Sequence, residues 1–156
     1  AAFYAESVLS CGGQVVMPPG YLQEVYDEMH AEGALCVADE VQCGFGRVGS
    51  CFWGFQLYGV VPDIVTLGKP MGNGYPVAGV VTTSQWGQAF SNGMEYFNTF
   101  GGSTAAVAAA LSVLTILQEG SWMEHSAQVG GYLLQQLRTL QRDFPCVGDV
   151  RGSGLM

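Results

Sequence analysis

Apolar residues occur along this chain in two patterns, short β-branched runs and longer stretches at helical spacing, and the two alternate. Leu22, Val25, Tyr26 and Met29 repeat every three or four residues. That predicts a helix from about 21 to 32, entered through Pro18-Pro19-Gly20 and ended at Gly33. Ala34 to Ala38 is apolar without a break and reads as a strand buried on both faces, running into Asp39-Glu40. Ala1 to Ala5 reads as a short buried strand, so the first forty residues form a strand–helix–strand unit. Ile64 to Leu67 and Pro76 to Thr82 are further β-rich runs. Ser84 to Phe90 suggests a short helix capped by Ser84. Two long helices follow, over about 103–119 and 123–142. The second carries Val129, Tyr132, Leu133, Leu137 and Leu140 on one face and stops before Pro145. Between 41 and 59 the chain is rich in glycine and aromatics without a period, which reads as an ordered loop. Strands alternating with helices predict an α/β layered fold.

Composition narrows the partners. Charged residues make up 12% of the chain, about half the usual share, and 23 glycines are present. This suits a large core or a close-packed interface. A net charge of −8 with only five Lys and Arg argues against nucleic acid. No apolar run reaches ~18 residues, so no membrane-spanning helix is expected. The five cysteines form no C-x-x-C pair and are odd in number, which points to free thiols in a reducing, intracellular compartment. His30 and His125 stand alone in sequence, so no metal site is expected. The first residue is not Met, and Gly152 to Met156 reads as a turn entering a new strand. The expectation is a piece of a longer protein. Residues 1–144 then belong to a large domain and 145–156 open a second one.

Gly44-Phe45-Gly46-Arg47-Val48-Gly49 matches G-x-G-x-x-G but neither follows a strand directly nor opens a helix, so dinucleotide binding is not expected. Phe100-Gly101-Gly102-Ser103 precedes a long helix and could offer backbone N–H groups to an anion, or be an ordinary joint. No nucleophile-elbow or Walker pattern is present. The informative pair is Asp39 and Lys69. Both follow apolar strands at the carboxyl end, the edge where open α/β sheets hold their ligands. They could form a structural ion pair. They could equally be the two fixed points of a pyridoxal phosphate site, where a lysine forms a Schiff base and a carboxylate holds the ring nitrogen protonated.

Three segments carry a resemblance: Asp39-Glu40-Val41-Gln42-Cys43-Gly44-Phe45-Gly46-Arg47, Pro62 to Lys69, and Phe97-Asn98-Thr99-Phe100-Gly101-Gly102. Together they resemble the signatures of the class III aminotransferases, and Asp39, Lys69 and Thr99 fall thirty residues apart. The resemblance implies a fold-type I large domain, a mostly parallel sheet with helices on both faces. It implies pyridoxal 5'-phosphate as cofactor and a homodimer with shared active sites, placed in the cytoplasm or mitochondrial matrix. It implies that Lys69 is the Schiff-base lysine and Asp39 the partner of the ring nitrogen. Val41 packs on the ring face, Gln42 bonds near the ring hydroxyl, and Thr99 reaches the cofactor phosphate of the partner subunit. Arg47 is implied to be structural, and Arg151 is given no substrate role. Ser10 to Gln14, Gly68 to Gly74 and Gly93 to Asn98 resemble the phospho-lyase branch, which acts on phosphorylated amines such as phosphoethanolamine. Phe52 to Gln56 and Val81 to Thr83 resemble the alanine–glyoxylate aminotransferase 2 branch. Transamination is the leading expectation and phosphate elimination the alternative. A catalytically silent scaffold is the reading from another class, and intact Asp39, Gln42, Lys69 and Thr99 speak against it.

Overall fold

The computed structural model describes residues 1–156. In chain order it contains β1 (Ala2–Glu6), the hairpin β2 (Val8–Leu9) and β3 (Val15–Val16), α1 (Tyr21–Ala31), β4 (Leu35–Asp39) and a 3₁₀ turn Gly54–Tyr58. There follow β5 (Ile64–Leu67), a second 3₁₀ turn Lys69–Gly72, β6 (Gly79–Thr82), α2 (Ser84–Phe90), α3 (Thr104–Glu119) and α4 (Trp122–Asp143). The main sheet has the order β1-β4-β5-β6. β1, β4 and β5 are parallel, with Glu6 opposite Asp39 and Asp39 opposite Thr66. β6 runs antiparallel to β5. The α/β, mostly parallel architecture is therefore present.

Each face of the sheet follows from the two-residue period of a strand. Phe3 and Cys36 point to one side, where α1 lays Leu22 and Tyr26 against Cys36, Tyr58 and Val60. Burying a side chain of the size of Leu22 contributes about 1.5–3 kcal/mol, so this cluster anchors α1 to β4. Tyr4, Glu6, Asp39 and Thr66 share the other side. Farther along that side, Ile64, Val80 and Thr82 face Trp86 and Phe90 of α2 across an apolar cavity of about 950 Å³.

Most element boundaries match the pattern, and the differences have physical reasons. β1 is an edge strand among the described strands, and Tyr4 on it is 57% exposed. β6 begins only at Gly79, and Pro76 before it has no N–H to give a ladder. Thr83, not Ser84, holds the cap position of α2, and no side chain caps it. The β2–β3 hairpin pairs Val8 with Val16 and Leu9 with Val15, and runs of two residues are too short to show a period. Gly46 and Gly49 adopt left-handed backbone, and a Cβ at Gly49 would lie 2.8 Å from the Cα of Ala127. These glycines bring the 44–49 loop against α4; they do not open a helix. Ser153 to Leu155 fold back on the same loop, through Leu155 N–H to Arg47 O (2.9 Å) and Ser153 Oγ to Val48 O (3.1 Å).

Candidate active site

The carboxyl edge of β4 carries two acids with opposite roles. Asp39 is half-buried on the open face. Its Oδ1 accepts the Val41 N–H at 3.0 Å and its Oδ2 accepts the Tyr4 hydroxyl at 3.0 Å. Glu40 turns inward and is completely buried. It accepts the Ser7 hydroxyl (2.5 Å), the Gly54 N–H (2.7 Å), the Phe55 N–H (2.9 Å) and the Cys43 thiol (3.6 Å). No cation meets Glu40; four donors satisfy it instead, which is how a buried carboxylate is tolerated. Those bonds tie the turn that carries Val41 and Gln42 to the 3₁₀ turn at Gly54. Burial pushes the Cys43 thiol up to about 12, with the Glu40 charge adding to it.

β5 delivers Lys69 to the same edge. Glu40 N–H donates to Thr66 O, so the two strand ends are stapled where the site begins. Gly68 sits against Val41: a Cβ there would lie 3.3 Å from Val41 Cγ1. The absence of a side chain lets the Lys69 turn close on Val41. Lys69 and Gln42 line one cavity of about 260 Å³ together with Gln14, Arg47 and Pro70. Asp39 and Val41 are not among its walls; Asp39 stands beside it along the sheet edge. Gln42 Nε2 donates to Ser10 Oγ, and Ser10 Oγ donates in turn to Glu6 Oε2 (2.6 Å). This leaves the Gln42 carbonyl oxygen without a protein donor, ready to accept from a hydroxyl.

Thr99 is exposed in the loop before α3 and lines neither this cavity nor any contact with Asp39 or Lys69. Tyr4 lies outside the motifs, and Ser10 and Thr66 lie within motif stretches without a role of their own. Tyr4 becomes visible only when the strand register sets β1 beside β4, and Ser10 only when the turn after β2 meets Gln42. His30, Cys36 and Asp63 also converge, their ligating atoms within 4.8 Å of one another, although nothing in their sequence spacing suggested it. Asp63 Oδ2 is already shared between the Cys36 N–H (2.8 Å) and the His30 ring (2.9 Å).

An acid and a lysine at neighbouring parallel strand ends, with an amide and a valine on the turn between them, form a donor set for a protonated aromatic ring and an aldehyde. All 156 residues match the family model described as aminotransferase class-III. The chain belongs to the class III aminotransferase family. It is 51% identical, over 99% of its length, to an "alanine–glyoxylate aminotransferase 2-like" protein of Drosophila melanogaster and covers 32% of that protein. It is 46% identical, over its whole length, to human mitochondrial alanine–glyoxylate aminotransferase 2 and covers 30% of it. Among solved structures, a phospholyase from Arthrobacter in complex with phosphoethanolamine superimposes with a TM-score of 0.92 at 40% identity, over 99% of this chain and 36% of that one. The chain thus spans about a third of the length of its relatives. The family's cofactor is pyridoxal 5'-phosphate, and the residues above fit it. Asp39 offers lone pairs beyond the two in use, and Lys69 and Gln42 line one cavity.

Proposed function

We propose that the full-length protein is a pyridoxal-phosphate-dependent transaminase acting on a primary amine. The observation that carries this reading is the placement of Asp39 and Lys69 at the carboxyl ends of adjacent parallel strands, with Val41 and Gln42 on the turn that follows Asp39. When bound, the cofactor supplies an aldehyde that takes the lysine or substrate amine and a ring that accepts the electrons of the broken bond. Lys69 Nζ would hold the cofactor and, as a free amine, would move the proton at the substrate carbon. Asp39 would hold the ring nitrogen, Gln42 would accept from the ring hydroxyl, and Val41 would cover one ring face.

Thr99 serves the phosphate of a partner subunit's cofactor in this reading. Support comes from the apolar surface around it: Met94, Tyr96, Phe97 and Phe100 are each more than 70% exposed, and Val107 and Leu111 extend the patch along α3. A surface of this kind suits a second subunit, and a homodimer follows. Residues 145–156 open the second domain in the same reading. An intracellular site, cytoplasmic or mitochondrial, suits five unpaired cysteines. No single helix is long and apolar enough to cross a membrane.

A second reading, elimination of phosphate from a phosphorylated amine, is favoured by one observation. The cavity beside Lys69 also contains Arg47 and no carboxylate side chain, in a chain with 13 acids and five Lys and Arg. Incubation of the loaded full-length protein with phosphoethanolamine and no keto acid separates the readings. Turnover only after a keto acid is added supports transamination. Release of phosphate and ammonia without one overturns it in favour of the lyase.

A further inference from the structure

Tyr4 has no place in the motifs that define the site, yet its hydroxyl reaches Asp39. It lies on β1 opposite Val37, two residues before the Glu6–Asp39 pair. A step of two residues along a strand is about 7 Å, and the phenol spans it. Its hydroxyl meets Asp39 Oδ2 at 3.0 Å and Thr66 Oγ1 at 3.0 Å, joining side chains of three adjacent strands. The proton count fixes the direction. The Asp39 carboxylate can only accept, so the phenol donates to it, and the Thr66 hydroxyl donates to the phenol oxygen. With the Val41 N–H on Oδ1, each oxygen of Asp39 is held by one donor and the carboxylate plane is set from both ends. The other charged groups nearby are otherwise engaged: Glu6 is turned to Ser10 (2.6 Å), Glu40 points into the core, and Lys69 lines the neighbouring cavity.

We propose that Tyr4 is a positioning residue: through its hydrogen bond to Oδ2, backed by Thr66, it sets how firmly Asp39 engages the nitrogen of a bound pyridine ring. The inference rests on the cofactor reading above and adds to it a residue from the strand next door. Removing the phenol oxygen frees the carboxylate to rotate. The ring nitrogen is then held less positively, the ring withdraws fewer electrons, and the bound chromophore keeps its proton to a higher pH.

The test uses the full-length protein loaded with pyridoxal phosphate, as parent, Tyr4→Phe, Thr66→Val and Thr66→Ser. The measurements are the dissociation constant of the cofactor, the pH midpoint of its visible band, and the melting temperature of the cofactor-free protein. Tyr4→Phe is expected to weaken cofactor retention by about fivefold to tenfold, the net value of one ordinary hydrogen bond at an exposed position. It should also raise the band midpoint by about half a pH unit or more, a shift in differential interaction consistent with a weakened bond. Thr66→Val should move both quantities the same way by less, and Thr66→Ser should restore them. Parent-like retention and midpoint in Tyr4→Phe overturn the proposal, as does a change confined to the melting temperature, which would make Tyr4 a packing residue. A parent protein with no visible band overturns the cofactor reading itself, so the two failures are distinct.

Discussion

Replacing Glu40 by Gln removes one charge from the core and keeps the shape, which makes it a sharp probe of how the site is built. Glu40 has no solvent exposure and accepts four donors, two on each oxygen. An amide keeps one accepting oxygen. Its NH₂ group must face either the Ser7 hydroxyl and Phe55 N–H or the Gly54 N–H and Cys43 thiol. At least one backbone N–H is then buried without an acceptor. Losing a bond to a charged acceptor costs about 1.5–3 kcal/mol, so Glu40→Gln is expected to cost about 3 kcal/mol once the remaining bonds weaken to neutral ones. Glu40→Ala orphans Ser7, Gly54 and Phe55 together and opens a cavity, for about 5 kcal/mol. The assay is urea unfolding of the full-length protein, with amide exchange at Gly54 and Phe55 as the local readout. Because Glu40 anchors the turn bearing Val41 and Gln42, cofactor retention should fall along with stability. A Glu40→Gln protein with the parent's midpoint and parent-like protection at both amides would refute the reasoning.

Other outcomes follow from groups away from the site. Burial raises an acid's proton affinity, but the Cys36 N–H and the His30 ring outweigh it at Asp63, whose carboxyl lies below its ordinary value. A depressed carboxyl contributes stability that is present above its unfolded value near ~4 and is lost as pH falls through the folded one. The stability gap between the parent and Asp63→Asn, measured by denaturant titration, should therefore close below about pH 4; a gap independent of pH would contradict the pairing. Burial raises the Cys36 thiol as well as that of Cys43, so both should resist iodoacetamide at pH 8 until the protein unfolds, as read by peptide mass spectrometry. Rapid labelling of Cys43 in the folded protein would show that its turn opens.

The long elements were legible because their periods run over enough residues to be distinctive. α1 and α4 show apolar side chains at helical spacing, and β5 ends where Gly68 interrupts the apolar run. Asp39 and Lys69 can be paired from sequence because each closes such a run, and parallel pairing then places them at one edge. The acid next to Asp39 was ambiguous: sequence cannot say that Glu40 turns inward, since its donors come from Ser7, Cys43, Gly54 and Phe55, three of them more than ten residues away. Tyr4 and Ser10 were illegible for a related reason. They reach Asp39 and Gln42 across strand pairing, and register is set by the whole sheet. Thr99 is recognisable by its motif, while the structure leaves it in a loop of exposed aromatic residues, away from Asp39 and Lys69.

The central claim is that Lys69 holds the cofactor. Full-length protein should be loaded with pyridoxal phosphate, scanned for a visible absorption band, reduced with borohydride, digested and mapped by mass spectrometry, with Lys69→Ala in parallel. The account predicts a visible band in the parent, the reduced cofactor on the peptide containing Lys69, and neither in Lys69→Ala. A parent without the band, or a label carried by a different lysine, would contradict it.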